Sequence, residues 1–246
     1  MRCCPLCREV KDLVISHVIP NTFFKRLKKV EGTAIQSDVR PETPIVRVQE
    51  SWSEKSLCVE CEALTNEFDT YIAAFTYNPM RVGVKVDRSS LRYRTYANLN
   101  YKKFRLFQLS LLFRASISKH IAFSHINLSK GDIERIRLAL INKEPINDKI
   151  LGCQMVLIWS PVRDLPFNNV VSVPVADVFK HKEIVYFVFG GFGWEFHLPQ
   201  FGFKQAREGF YVKSNGSLKV PIVDFDNYQP LALQNKLMVA KNAIGL

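Results

Sequence analysis

Two pairs of cysteines constrain this chain more than any other feature of its sequence. Each pair has the spacing Cys-x-x-Cys, one at the amino terminus and one near residue 60: Cys4, Cys7, Cys58 and Cys61. Two such pairs supply four thiolates, a ligand set that favours tetrahedral zinc. We therefore expect these cysteines to bind one structural Zn²⁺ and to join two distant segments. The alternative is a set of four buried thiols, which the small apolar character of cysteine permits.

The remaining cysteines and the size of the chain argue against a disulfide scaffold. Cys3 and Cys153 lie outside the two pairs, and six cysteines in 246 residues are too few to replace a core. With 47% hydrophobic residues the chain can form a sizeable core instead. No segment approaches the roughly 18 apolar residues of a membrane-spanning helix, and none resembles a signal peptide. We expect a cytoplasmic protein with no membrane association.

Hydrophobic periodicity predicts an α+β fold. Helical spacing recurs over residues 22–29, 57–78, 101–123, 128–145 and 229–242. A period of two predicts strands over residues 155–159, 170–175, 184–189, 194–198 and 218–225. We expect two domains: a zinc domain over 1–80, and an α+β domain over 81–246 with central helices over about 101–142 and a carboxy-terminal antiparallel sheet.

Positive charge is concentrated in the middle of the chain. The formal net charge is +11, yet residues 1–60 contribute only +2 whereas residues 81–120 contribute +9. Cations there are interleaved with aromatic rings, a composition that contacts phosphates and stacks on bases. The predicted nucleic-acid contacts are Arg88, Arg92, Arg94, Lys102, Lys103 and Arg105. The alternative is a solvated basic face.

One further charge lies inside the most apolar helical segment. Arg114 follows the run Leu111-Leu112-Phe113. Because an unpaired buried charge is costly, Arg114 either pairs with a carboxylate or points into a ligand cleft.

The amino-terminal motifs resemble the zinc-containing branch of the HNH endonucleases. Cys4-x-x-Cys7 is followed by Ser16-His17-Val18-Ile19-Pro20, and Leu57-Cys58-x-x-Cys61-Glu62 opens a helix. This resemblance implies that residues 1–80 form an HNH-like treble-clef or ββα-metal unit. In that family four cysteines hold a structural zinc, and a histidine near the end of the first strand serves as general base.

The same resemblance implies roles for three further residues. His17 would be the general base, while Glu62 and Asn66 would hold Mg²⁺ or Mn²⁺ during phosphodiester hydrolysis of DNA or RNA. Glu62 and Asn66 are four residues apart, so they share one helix face, and their oxygens suit these hard cations.

Two family features are absent. Ser16 stands where many members have an acidic ligand, and residues 53–56 lack the asparagine that orients the base.

A second interpretation therefore stays open, a catalytically inactive zinc-stabilised module that binds nucleic acid or protein. Under it, His17 is a capping residue or supports a metal ligand from outside, Glu62 is a first-turn acid and Asn66 faces solvent. The longer sequence is also similar to a group of bacterial proteins with a degenerate HNH unit, through the run Phe107-Gln108-Leu109-Ser110-Leu111-Leu112-Phe113-Arg114-Ala115-Ser116. This likeness implies a bacterial source, with antiphage defence as a setting.

Overall fold

A computed structural model describes residues 1–29, 33–36, 46–48, 51–162, 164–168, 170–179, 182–198 and 210–228. These residues form a mixed α+β fold. The α-helices are Asn21–Lys29 (α1), Val59–Tyr77 (α2), Tyr101–Ile117 (α3) and Lys130–Ile141 (α4). The strands are Arg2–Cys3 (β1), Val10–Lys11 (β2), Leu13–His17 (β3), Thr33–Gln36 (β4), Val46–Val48 (β5), Ser53–Cys58 (β6), Lys85–Asp87 (β7), Tyr93–Ala97 (β8), Gly152–Ser160 (β9), Leu165–Pro166 (β10), Val170–Phe179 (β11), Lys182–Phe189 (β12), Phe192–His197 (β13) and Leu218–Asp224 (β14).

The helices follow the hydrophobic spacing, but two of them end earlier than predicted: α3, and α4, which ends at Ile141. The helix predicted for residues 101–123 ends at Ile117, because Ser118 adopts an extended conformation. A short 3₁₀ turn, Ile121–Phe123, follows and is capped by the His120 ring, which accepts from the N–H of Ala122 at 3.1 Å. The helix predicted for residues 229–242 lies outside the described residues.

The large sheet has the order β5-β4-β11-β12-β13-β9-β14-β8-β7, with β10 paired to β9. We predicted antiparallel pairing, and most neighbours are antiparallel. Two are not: β4 runs parallel to β11, and β14 runs parallel to β9. Both parallel pairs join strands far apart in sequence, where no hairpin dictates an antiparallel direction. The sheet is therefore mixed.

The turn between β12 and β13 is formed by two glycines. Gly190 and Gly191 both have positive φ, 63° and 82°, which a tight hairpin turn requires and glycine adopts without strain. A Cβ on Gly190 would lie 2.6 Å from Cγ2 of Thr76 on α2. The turn therefore lies so close to α2 that a residue with a Cβ at position 190 would clash with Thr76.

Helix α3 lies at the centre of the molecule. Every residue from Phe104 to Ala115 is buried. Phe107 contacts the sheet through Trp194 on β13, with ring centroids 5.4 Å apart. On its other sides α3 packs against α2 and α4. Such all-round burial explains why this segment lacks a polar face.

The hydrophobic core is continuous across residue 80. Cys4 and Leu6 belong to the same buried cluster as Leu218 and Val220, and β4 joins the large sheet. The domain boundary at residue 80 stays a prediction. Among the helices that the structure describes, none combines the length and apolar character needed to cross a bilayer.

Truncation of Phe107 tests the central position of α3. Phe107 is 0% exposed, so Phe107→Ala should lower the free energy of unfolding by about 3–5 kcal/mol. Leu91→Ala is the control, because Leu91 is 91% exposed and its loss should change stability by less than about 0.5 kcal/mol. Urea unfolding measures both, and equal effects would contradict the assignment of α3 as the core helix.

Candidate metal centre

Four cysteine sulfurs meet at one point near the amino terminus. The Sγ atoms of Cys4, Cys7, Cys58 and Cys61 all lie within 4.8 Å of one another. Tetrahedral zinc with Zn–S bonds of about 2.3 Å separates its sulfurs by about 3.8 Å. The Cys7 and Cys58 sulfurs are 3.8 Å apart, far beyond a disulfide bond of about 2.05 Å. The predicted cluster is confirmed, and its size and chemistry fit a metal such as zinc.

The first cysteine pair lies in a small hairpin formed by β1 and β2. The N–H of Cys4 donates to the carbonyl of Glu9, and the N–H of Arg8 donates to the carbonyl of Cys4, both at 2.8 Å. Arg8 takes a positive φ of 69°, which lets the chain turn tightly after Cys7. From α4, Arg137 donates to the carbonyl of Leu6 at 2.8 Å. The hairpin is thus held from within and from α4.

The second cysteine pair lies where β6 ends and α2 begins. Cys58 is the last residue of β6 and the N-cap of α2, while Cys61 lies in the first turn. The N–H of Cys58 donates to the Cys4 sulfur at 3.4 Å. The amino end of a helix also carries partial positive charge that stabilises thiolates. The cluster therefore ties the first hairpin to the start of α2.

The thiols differ in how readily they ionise. Burial opposes ionisation of Cys4, but hydrogen bonds from the backbone N–H groups of Cys7, Cys58 and Leu6 outweigh it and lower the pKa of Cys4 to about 7. Burial raises the pKa of Cys58 to about 11 and also raises that of Cys61, where the Cys4 charge adds to the effect. Because neighbouring thiolates repel one another, a bound dication is what would allow all four to ionise.

A second group of polar side chains lies beside the cysteines, which we call the His17 cluster: Ser16, His17, Glu62, Asp69 and Arg114. Ser16 is buried, and its hydroxyl donates to the carboxylate of Glu62. Glu62 and His17 both influence the pKa of Asp69, so these side chains share one electrostatic environment. The strand that carries Ser16 and His17 and the helix that carries Glu62 therefore meet here.

Arg114 holds the His17 cluster together from inside α3. It donates to both carboxylate oxygens of Asp69, at 2.6 and 2.8 Å, and to the backbone carbonyl of His17 at 2.7 Å. Of the two roles foreseen for Arg114, pairing with a carboxylate is confirmed. The contact with His17 fixes the end of β3, where the sequence lacks the expected orienting asparagine. Sequence reasoning missed Asp69, whose only signal is its position seven residues after Glu62 on the same helix face.

The half-buried His17 ring is biased towards its neutral form. Burial and the positive charge of Arg114 lower the pKa of His17, and the negative charge of Asp69 only partly opposes them. Burial likewise raises the pKa of Asp69, while Arg114 opposes this rise by pairing with the carboxylate. His17 therefore has the protonation state that a general base requires.

Asn66 lies away from these contacts, exposed at a groove of about 860 Å³. The groove runs between α1 and α2 and beside the start of α3. Its basic lining residues are Arg26, Arg81 and Lys103. Arg26 was not among the predicted contacts, because it lies in α1, far from the basic segment. Asn66 thus shares a surface with cations contributed by three parts of the chain.

The predicted phosphate contacts occupy different environments. Arg88 and Arg92 are exposed in the connection between β7 and β8, and Arg94 is half-buried on β8. Lys102 pairs with Glu144, and Lys103 pairs with Glu67, both at 3.0 Å. Five of the six residues remain accessible to a ligand in whole or in part.

Arg105 is the exception, and its prediction as a nucleic-acid contact is wrong. It is 0% exposed, and its Nε lies 2.8 Å from the carboxylate of Asp148. It also donates to the carbonyls of Ile146 and Leu151, at 3.1 and 2.7 Å. Arg105 is therefore a structural residue that joins α3 to the segment before β9.

Comparison of the chain with models of protein families, with curated proteins and with solved structures finds no match. The geometry of the sites themselves must therefore support any functional proposal.

Zinc content tests the four-cysteine cluster. We expect about one zinc per chain by elemental analysis, as a tetrahedral Cys₄ site requires. Cys58→Ser should lose most of the zinc and lower the unfolding midpoint by at least about 5 °C, because metal binding contributes to folding. Cys3→Ser is the matched control, since Cys3 is exposed and outside the cluster. Zinc retained in Cys58→Ser would refute this ligand set.

The titration of His17 tests its electrostatic environment. We expect its ring to titrate below the ordinary value of about 6.5, because burial and Arg114 disfavour the imidazolium. The unfolded chain binds this proton more tightly than the folded chain does. The free energy of unfolding should therefore fall as the pH drops from about 6.5 towards the lower pKa of the folded state. NMR titration of the histidine rings, assigned with His17→Ala, measures the shift. A midpoint at or above 6.5 would contradict the environment described.

Proposed function

We propose that this protein is an HNH-like, metal-dependent endonuclease that acts on nucleic acid. The proposal rests on one observation: two features meet at the start of α2. The four-cysteine cluster ties the first hairpin to the β6–α2 junction, and the adjacent β3 brings Ser16 against Glu62. The resemblance in the amino-terminal motifs assigns chemistry to this same junction.

In this proposal His17 takes a proton from the attacking water. Its lowered pKa leaves the imidazole free to accept that proton at neutral pH. Arg114 acts as a positioning residue, because it holds the backbone of His17 and pairs with Asp69. The ring is thereby presented from a strand end whose carbonyl accepts from a guanidinium that a buried ion pair holds in place.

Glu62 and Asn66 would hold the catalytic cation. A carboxylate and an amide on one face of α2 suit Mg²⁺ or Mn²⁺. Such a cation, when bound, stabilises the negative charge that develops on the phosphate. Asn66 also opens onto the groove that Arg26, Arg81 and Lys103 line, so a phosphate backbone in that groove would reach the carboxamide. The four cysteines would hold zinc in a structural role.

The second candidate function is a non-catalytic zinc-stabilised module that binds nucleic acid or protein. The hydrogen bond between Ser16 and Glu62 favours it, because this bond engages the carboxylate on which the catalytic cation would depend. The basic groove serves this function equally well, since phosphate binding needs no cleavage chemistry.

Cleavage assays with His17→Ala separate the two functions. The zinc-loaded wild type should cleave plasmid DNA or RNA in Mg²⁺ or Mn²⁺. His17→Ala should lose about 10²- to 10⁴-fold in rate with its unfolding midpoint kept, because a general base contributes that much. His120→Ala is the matched control, since that histidine caps the 3₁₀ turn.

Two results would reject the nuclease proposal. One is full cleavage by His17→Ala. The other is the absence of cleavage by zinc-loaded wild type across both metals and both kinds of nucleic acid, which would favour the binding module.

A further inference from the structure

A second, smaller cavity opens beyond the groove that contains Asn66. It has a volume of about 250 Å³ and shares Arg26 and Tyr77 with that groove. We call it the aromatic pocket, and its walls include Arg26, Arg88, Arg94, Tyr77, Tyr96 and Trp159. The α1, α2, β8 and β9 elements and the β7–β8 connection contribute these side chains. The pocket is thus built from distant parts of the chain.

The charge of the aromatic pocket is positive. Three arginines line it, and no acidic residue is among the described residues that do so. Nη1 of Arg94 donates to the carbonyl of Ser90 at 2.7 Å, which fixes the guanidinium in place. Asp87, the acid nearest to Arg88 in the sequence, is not among the lining residues; it accepts from the N–H of Ser89 at 2.9 Å, and its pKa is lowered by Ser89 and, to a smaller extent, by Arg94. The pocket therefore offers cationic groups to an anion from outside.

Aromatic rings lie beside these arginines in the wall. The Arg26 guanidinium lies 4.0 Å from the Tyr77 ring centroid, and that of Arg94 lies 5.6 Å from the Trp159 ring. Trp159 is half-buried, whereas Trp52 and Trp194 are only 3% and 0% exposed and belong to the core. A partly open indole beside arginines is a surface on which a flat heteroaromatic ring stacks.

We propose that the aromatic pocket binds one nucleotide of a single-stranded nucleic acid. The base would stack against Trp159, and the phosphates would pair with Arg26, Arg88 and Arg94. The volume lies below the roughly 300–1,000 Å³ of sites for drug-sized ligands, so it admits one base-sized group. A base within a duplex is stacked and paired, and cannot enter such a pocket unless it is extruded.

The aromatic pocket specifies the substrate of the proposed nuclease, and the path of the nucleic-acid strand towards Asn66 rests on that proposed function. Because the pocket and the groove share Arg26 and Tyr77, a strand anchored in the pocket would continue through the groove towards Asn66. The substrate class is then single-stranded nucleic acid, or a duplex with an unpaired base.

Binding without cleavage tests the pocket. The zinc-loaded full chain is titrated, without added Mg²⁺ or Mn²⁺, against a short fluorescein-labelled adenine oligonucleotide, and fluorescence anisotropy gives the affinity. We expect the single strand to bind roughly tenfold or more tightly than its duplex, since stacking on open bases supplies the difference. Arg88→Ala should weaken binding roughly tenfold and reduce the slope of log affinity against log salt by about 0.7, the value for one lost phosphate contact.

Lys130→Ala is the charge-matched control. Lys130 is exposed at the start of α4 and does not line the pocket. Its loss should leave the affinity within about twofold, because distant exposed charges are screened by salt. Equal weakening by Arg88→Ala and Lys130→Ala would overturn the pocket and leave only general attraction to a basic surface. Equal affinity for duplex and single strand would overturn it as well.

Tryptophan emission gives an independent readout. The oligonucleotide should quench emission in the wild type, and Trp159→Phe should remove most of that quenching while retaining binding through the phenyl ring. Quenching that persists in Trp159→Phe would place the base elsewhere and reject the pocket. The mononucleotide AMP is the second ligand. Weaker binding of AMP than of the oligonucleotide supports a nucleic-acid strand as the ligand. Equal affinity would overturn that proposal and identify a free nucleotide as the ligand.

The binding result is separable from the cleavage result. Pocket-dependent binding by a protein that never cleaves would reject the nuclease but keep the pocket. Cleavage with unchanged affinity in Arg88→Ala would reject the pocket but keep the nuclease.

Discussion

The rest of the amino-terminal structure depends on the meeting of four cysteine sulfurs. This cluster joins a hairpin at the start of the chain to the exact residue at which β6 becomes α2, because Cys58 belongs to both elements. The direction of α2 is thereby set relative to β3. Glu62 follows one residue after Cys61, so the same junction brings its carboxylate to Ser16. A metal at the cysteines would stabilise the geometry of the neighbouring polar cluster as well as its own ligands.

Helix α3 connects this junction to the large sheet through two buried arginines. Arg105 pairs with Asp148 beside β9, while Arg114 pairs with Asp69 on α2 and holds the carbonyl of His17. Buried ion pairs add little net stability, since desolvation offsets their attraction, but a missing partner is costly. We infer that they favour one register of α3 against its neighbours, because another register would leave these buried charges unpaired. The position of His17 is therefore linked through a single helix to the core of the sheet.

In the tertiary structure, the cations of the basic segment lie in different environments. Arg92 faces solvent, Arg88 and Arg94 lie in the wall of the aromatic pocket, and Arg105 and Arg114 are interior. Arg26, which lies in α1 outside the basic segment, lines both the groove and the aromatic pocket. Charge density along a chain measures the total attraction for an anion, whereas folding decides which charges remain on the surface and converge.

Local patterns determined the four-cysteine set and the positions of the described α-helices and of five of the fourteen described strands, because each depends on spacing and on nearby residues. The sequence alone also indicated that Arg114 needs a partner or a cleft. Only the tertiary structure decided that this partner is Asp69, that β14 and β9 run parallel, and that Arg105 is buried. Each of these facts joins residues far apart in the chain. No local periodicity encodes such pairings, since they follow from how the helices and strands pack together.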